Sequence, residues 1–194
     1  VRDAGGRVLD LGIAPDEEGR LRAAIRHALD AGADMIVTIG GASVGELDLV
    51  GAALAAEGME PGFWKIAMRP GKPLMFGRFD SMRAIGLPGN PIASLVCSHL
   101  FLGPLVARLG GLPVRMEICD GVLGADLAAN DHRQDYMRAS LERDGDIGYV
   151  TPFPVQDSSM LSVLARSDAL LIREPHAAPA PRGSPCRFIP LHRS

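Results

Sequence analysis

Three glycine-rich turns, a group of fixed cations and two aspartates are the residues of this chain whose types and spacing suit chemistry. The turns are Gly40-Gly41-Ala42-Ser43-Val44-Gly45, Arg69-Pro70-Gly71-Lys72-Pro73 and Leu87-Pro88-Gly89-Asn90-Pro91. The first and third join an apolar run to a helical one, where an α/β sheet leaves backbone N–H groups free to hold phosphate or another oxyanion. Glycine permits positive φ and close approach of a ligand to the backbone, and Ser43 adds a hydroxyl. A tight strand-to-helix turn needs glycine for its geometry alone, so one such loop is weak evidence. Three along a single α/β unit describe a site for a phosphorylated or strongly anionic ligand.

The cations lie between the outer turns. Lys65 and Arg69 bracket an expected strand at Phe63–Met68, whose alternation sets them on one face. Pro70 and Pro73 stiffen the loop that carries Lys72. A solvated charge run needs no such stiffening, whereas rigid cations suit an oxyanion. Asp16 and Asp48 each open an expected helix, a position that capping and the helix dipole explain by themselves. Both also follow the C-terminal ends of expected parallel strands, where ligands bind in open α/β sheets. Two carboxylates there could hold Mg²⁺ together with substrate phosphates. Asn90 suits an N-cap and Pro91 a first helical position, which leaves Gly89 and the N–H groups opening that helix for a ligand. The five histidines form no ligand spacing, and His99, inside an apolar helix, is expected to pack in the core. Ser43, Ser94 and Ser158 have no His/Asp partners at a readable spacing, so a hydrolase triad gains no support.

These residues need a frame, and the hydrophobic periodicity supplies one. Val8–Ile13 reads as a short strand, followed by an amphipathic helix with Leu21, Ala24, Ile25, Ala28 and Leu29 on one face, ended by Gly32. Met35–Ile39 is uninterruptedly apolar, as in a parallel strand buried on both faces. A helix is expected from about Glu46 to Glu57, then strands at Phe63–Met68, Leu74–Phe79 and Met82–Leu87. An apolar helix starts at Pro91, and Pro104 should kink or divide it against the carbonyl of Leu100. This alternation predicts a doubly wound, mostly parallel α/β domain over 1–110. After Gly110-Gly111-Leu112-Pro113 the texture changes to short alternating stretches at Val114–Cys119, Gln134–Glu142, Tyr149–Pro152, Ala169–Ile172 and Arg187–Leu191. A short helix fits Met160–Ala165, and His176–Pro181 fits a surface loop. Residues 111–194 therefore read as a small, mostly β domain.

The bulk numbers set the bounds. The 194 residues are 47% hydrophobic and 22% charged, with 23 acidic against 20 basic side chains and a net charge of −3. That is ordinary for a globular protein and gives no basic surface for nucleic acid. The longest apolar candidate, Ile92–Leu109, is interrupted by Ser94, Ser98, His99, Gly103 and Pro104 and falls short of a membrane span. Cys97, Cys119 and Cys186 are scattered and odd in number, which implies neither a disulfide framework nor a zinc site and reads as a reduced, cytoplasmic protein. The chain opens on Val1 rather than Met and is expected to be one portion of a longer protein.

The stretch Asp34–Asp48 resembles the GG-V-S-V-G-x-x-D signature of molybdenum cofactor biosynthesis proteins. Phe63-Trp64-Lys65-Ile66-Ala67-Met68-Arg69-Pro70-Gly71-Lys72-Pro73 and Gly86-Leu87-Pro88-Gly89-Asn90-Pro91 narrow the resemblance to the MoeA/gephyrin-E branch, the molybdopterin molybdenumtransferases. Arg133–Ala139 and Ser158–Ala165 look like that family's small β-barrel domain. The resemblance implies the molybdopterin-binding fold and insertion of molybdenum from molybdate into adenylylated molybdopterin, with release of AMP and the help of Mg²⁺. It implies catalytic roles for Asp16, Asp48, Lys65 and Arg69, with Asp16 and Asp48 holding the metal. It further implies ligand contacts from Gly40, Gly41, Ser43, Gly45, Lys72, Pro88, Gly89, Asn90 and Ser158. A homodimer and a contact with the molybdopterin adenylyltransferase are implied as partners. Arg69 stands where many members have lysine, which exchanges a point donor for a fork. Ala93 stands where they have serine. The family's two preceding domains, and a first strand with a Thr-Gly-Asp-Glu-like motif, have no counterpart in these residues. Two other readings compete: a molybdopterin-binding or scaffold module without turnover, and the adenylyltransferase, against which the β-rich stretch after Gly110 counts.

Overall fold

The computed structural model describes residues 1–41, 49–114, 116–156 and 161–191. The chain forms two compact units, one of Val1–Ile66 and Gly71–Val114, the other of Ala67–Pro70 and Arg115–Ser194.

In the first unit, α1 (Glu18–Asp30) buries Leu21, Ile25 and Ala28, the i, i+4, i+7 stripe of its sequence. Gly32, with φ 68°, turns the chain into β1 (Met35–Ile39). After α2 (Leu49–Ala56) come β2 (Glu60–Trp64), β4 (Met75–Arg78) and β5 (Arg83–Leu87), in the sheet order β1-β5-β4-β2. The parallel character expected of this sheet is confined to β1 and β5, paired from Met35–Arg83 to Ile39–Leu87. A short turn closed by Phe79 N–H donating to the Met82 carbonyl (2.7 Å) makes β4 and β5 antiparallel. Pro61 is accommodated because β2 is an edge strand, and the register shifts there, between Pro61 and Phe63. Ile36, Ala53, Leu54, Met59, Met75, Met82 and Ala84 close the core against α1.

Three expectations are corrected here. Val8–Ile13 forms no strand: Val8, Leu9 and Leu11 are exposed and Ile13 is 99% so. Among the described residues β1 pairs with β5 alone, and an extended run without a ladder partner has nothing to fix it. For the same reason β1 is an edge strand rather than one buried on both faces, with Ile36 buried and Ile39 70% exposed. His99 lies on the exposed side of its helix.

That helix runs as α3 (Pro91–Cys97), a π-helical turn at Ser98–Leu102 and α4 (Gly103–Leu109). The wide turn falls directly before Pro104, whose ring and missing N–H break the regular ladder. Its 19 residues are long and apolar enough to cross a membrane by length and composition. Ile92, Val96, Cys97, Leu100, Leu102 and Val106 are nevertheless buried, as on a core helix.

The second unit is a barrel. Strands β6 (Cys119–Leu123), β7 (Gln134–Asp144), β8 (Ile147–Pro152), β9 (Ala169–Arg173) and β10 (Pro185–Pro190) follow the order β7-β8-β6-β10-β9, and β9 pairs back onto β7. This five-stranded closure removes the free edges. A two-residue strand, β3 (Met68–Arg69), adds to β7 in parallel. Leu123, Ala139, Val150, Ala169, Leu171 and Phe188 fill the interior. The strand expected at Val114–Cys119 begins instead at Cys119, while Val114, Met116 and Ile118 are exposed. Gly121 leaves no room for a side chain: a Cβ there would lie 2.8 Å from the Gly148 carbonyl oxygen and 3.0 Å from the Phe188 ring. The short helix α5 spans Leu161–Ala165.

Candidate functional site

Parallel pairing of β1 with β5 brings two of the three turns together. Gly40 N–H donates to the Leu87 carbonyl at 3.1 Å, one residue beyond the last ladder pair. Gly40 and Gly41 take φ of 79° and 72°, the left-handed region that favours glycine. The backbones then approach so closely that a Cβ on Gly89 would lie 3.3 Å from the Gly40 Cα. The N–H groups of Gly41, Gly89 and Asn90 donate to no described residue.

Asn90 acts as the N-cap. Its Oδ1 accepts from Ile92 N–H (3.1 Å) and Ala93 N–H (3.2 Å), and Ser94 N–H donates to its carbonyl (2.8 Å). The N–H groups opening the helix, expected to be free for a ligand, are therefore occupied, and Pro91 has none. Of the two residues before Asn90, Pro88 is buried and Gly89 is exposed. Sequence reasoning passed over Thr38, whose Oγ1 is buried two residues before Gly40 without a hydrogen-bond partner among the described residues.

Ser43, Gly45, Asp48 and Ser158 lie outside the described residues. Asp16 is exposed and stands one position before Glu17, the N-cap of α1, where no side chain makes a capping bond. Its expected capping role is not realised. No three His, Cys, Asp or Glu side chains converge on a metal position among the described residues.

The cations belong to two different units. Lys65 follows the end of β2, and Lys72 is tied to its entry by Ile66 N–H donating to the Lys72 carbonyl at 3.1 Å. Both side chains are exposed, with no ion pair to a described residue. The strand expected to span Phe63–Met68 does not form, because the chain leaves one sheet after Trp64 and joins the other at Met68. Lys65 and Arg69 accordingly do not share a strand face.

Arg69 belongs to the barrel unit. Its Nε donates to Asp135 Oδ2 at 3.1 Å, its Nη2 donates to the same oxygen, and Nη1 stands 3.6 Å from Asp131 Oδ2. Asp131 also accepts from the Arg133 side chain (2.7 Å) and backbone N–H (2.8 Å). Hydrogen bonds from Arg133, assisted by the nearby Arg69 charge, hold its carboxyl well below the usual aspartate range. Asp135 is 5% exposed, and its Oδ1 has no hydrogen-bond partner among the described residues. A second buried charge on β7, Arg138, donates from Nε to Gln156 Oε1 at 3.3 Å. The sequence signal for both was a charge placed within a strand whose other positions fill a core.

Comparison with known proteins fits this geometry. Residues 1–108 match the model of the probable molybdopterin binding domain, and residues 120–191 match that of the MoeA C-terminal region (domain IV). The chain belongs to the MoeA family. A curated relative of this MoeA-family chain, the molybdopterin molybdenumtransferase of Haemophilus influenzae, is 44% identical over 104 residues, covering 54% of the chain and 25% of the relative. That of a Nostoc species is 33% identical over 181 residues, covering 89% of the chain and 41% of the relative. The MoeA protein structure from Pyrococcus horikoshii superposes with a TM-score of 0.77 at 24% identity, over 97% of the chain and 45% of that protein, which establishes the shared fold. The chain thus spans less than half the length of these relatives.

Proposed function

We propose that the chain acts in molybdenum cofactor biosynthesis, inserting molybdenum from molybdate into adenylylated molybdopterin with release of AMP. One observation carries the reading: the approach of Gly40 to Gly89 at the C-terminal ends of the parallel strand pair. In this reading the N–H groups of Gly41, Gly89 and Asn90, which donate to no described residue, bind phosphate oxygens, as oxyanion stabilisation requires. Ser43, Gly45, Pro88 and Ser158 are further ligand contacts in this reading. Lys65, Lys72 and Arg69 supply positive charge for molybdate and the substrate phosphates. Asp16 and Asp48 hold Mg²⁺ against those phosphates, a role that suits a cation bound by one or two carboxylates. The working protein is cytoplasmic and homodimeric, and it receives its substrate from the adenylyltransferase.

The test is cleavage of adenylylated molybdopterin by the 194-residue chain with molybdate and Mg²⁺, beside Asp48→Ala. Release of AMP by the parent and its loss in the variant support the reading. Equal cleavage by the two removes Asp48 from the site. Ligand binding without AMP release assigns a binding module instead.

A further inference from the structure

We infer that Asp135 is a positioning residue: it orients the Arg69 guanidinium for the molybdate oxyanion by accepting from two of its nitrogens. The inference rests on the reading of Arg69 as an anion-binding cation and adds the residue that aims it. Arg69 is 48% exposed on its side chain, while the Asp135 side chain is 7% exposed. The carboxylate is thus the fixed member of the pair and the guanidinium the adjustable one. Asp135 sits directly opposite Arg69 in the parallel β3–β7 register, so its place is set by the ladder. Nε and Nη2 both converge on Oδ2, which defines the plane and rotation of the fork. Oδ1 has no donor among the described residues, so the buried carboxylate depends on Arg69 for its compensation. Asp131 differs: it approaches Nη1 only to 3.6 Å and is held by Arg133.

The two carboxylates therefore make opposite predictions. Each lowers the local positive potential, so removing either charge should favour an anion on Coulombic grounds alone. A positioning role reverses the sign for Asp135. Titration of the chain with molybdate should show Asp135→Asn binding about tenfold more weakly, comparable to a coupled contact of moderate strength. Asp131→Asn should bind at least as tightly as the parent. Arg69→Gln should weaken binding, and adding Asp135→Asn to it should cause no further loss. Asp135→Glu keeps the charge, so weakened binding there reports displacement of the guanidinium; this variant serves if Asp135→Asn fails to fold. The Arg69 Nε–H resonance in ¹⁵N NMR, protected in the parent without molybdate, should lose its protection in Asp135→Asn.

Tighter or unchanged binding by a folded Asp135→Asn overturns the inference, as does an Asp131→Asn loss equal to it. Absence of molybdate binding by the parent overturns the anion reading of Arg69, and the positioning role with it. In that case the Nε–H signal still reports whether the pair itself exists.

Discussion

Gly40 and Gly89 meet backbone to backbone: a Cβ on Gly89 would lie 3.3 Å from the Gly40 Cα, and one on Gly40 would lie 3.7 Å from the Gly89 Cα. Their approach follows from the parallel register that sets Ile39 beside Leu87. It brings together two glycines that lie 49 positions apart in the sequence.

Substitution at the two positions should separate strain from crowding. Gly40→Ala places a Cβ at φ 79°, which costs about 1–2 kcal/mol of stability. Gly89→Ala has no such φ penalty, so its fault is contact with the opposing backbone. We expect Gly89→Ala to weaken binding of adenylylated molybdopterin with a smaller loss of thermal stability than Gly40→Ala. Equal binding by Gly89→Ala and the parent would remove the paired turns from the ligand site.

How much of this was readable in the sequence depends on how far each residue's partner lies along the chain. The stripe of α1 and the Asn90 cap are settled within a few residues, and the sequence reading anticipated them; it also placed β4 and β5, but not their antiparallel pairing. Arg69 has its decisive partner 66 positions away, and nothing in Arg69-Pro70-Gly71-Lys72-Pro73 marks that it joins a barrel. The same holds for Val8–Ile13, which carries strand residues but has no described strand beside it. Its periodicity reports an intrinsic preference, and preference alone does not supply a ladder. The Gly40 and Gly89 turns were legible as local chemistry; their contact required the register.

Gly51 in α2 offers a packing test. Alanine in a helix interior usually gains about 0.5–1 kcal/mol over glycine. Here the added Cβ would fall 1.8 Å from Cη2 and 2.5 Å from Cζ2 of Trp64, a rigid ring with no flexible end to withdraw. Overpacking of that kind costs about 1–3 kcal/mol, so Gly51→Ala should be less stable than the parent in thermal unfolding. Trp64→Leu should relieve the clash, making the double variant more stable than additivity predicts. A more stable Gly51→Ala would show that Trp64 does not cover this helix.

The cysteines should report folding rather than redox chemistry. Burial pushes the Cys97 thiol up to about 12, and burial followed by the Asp120 charge pushes Cys186 up to about 11. Thiolate is the reactive species, so little of it is present near pH 8. Alkylation with iodoacetamide, mapped by mass spectrometry, should leave Cys97 unmodified until denaturant unfolds the chain. Rapid modification of Cys97 in the native protein would show that α3 opens readily from its core.

Glu57 should make the first unit sensitive to acid. Its carboxylate, 10% exposed on the side chain, accepts from Arg22 Nε at 2.6 Å and from Arg26 Nε at 2.8 Å. Hydrogen bonds from Arg26 and then Arg22 lower its pKa from 4.5 to about 2. Because the folded value is the depressed one, this stabilisation is fully present above the unfolded pKa. It is lost as pH falls from about 4.5 through about 2, where the folded chain must also take up the proton. Glu57→Gln should lower the melting temperature at neutral pH and flatten its decline across that window relative to the parent. Added salt should narrow the difference, since both arginines reach solvent. Parallel melting curves for parent and variant between pH 5 and pH 2 would show that the α1 arginines do not hold Glu57 ionised.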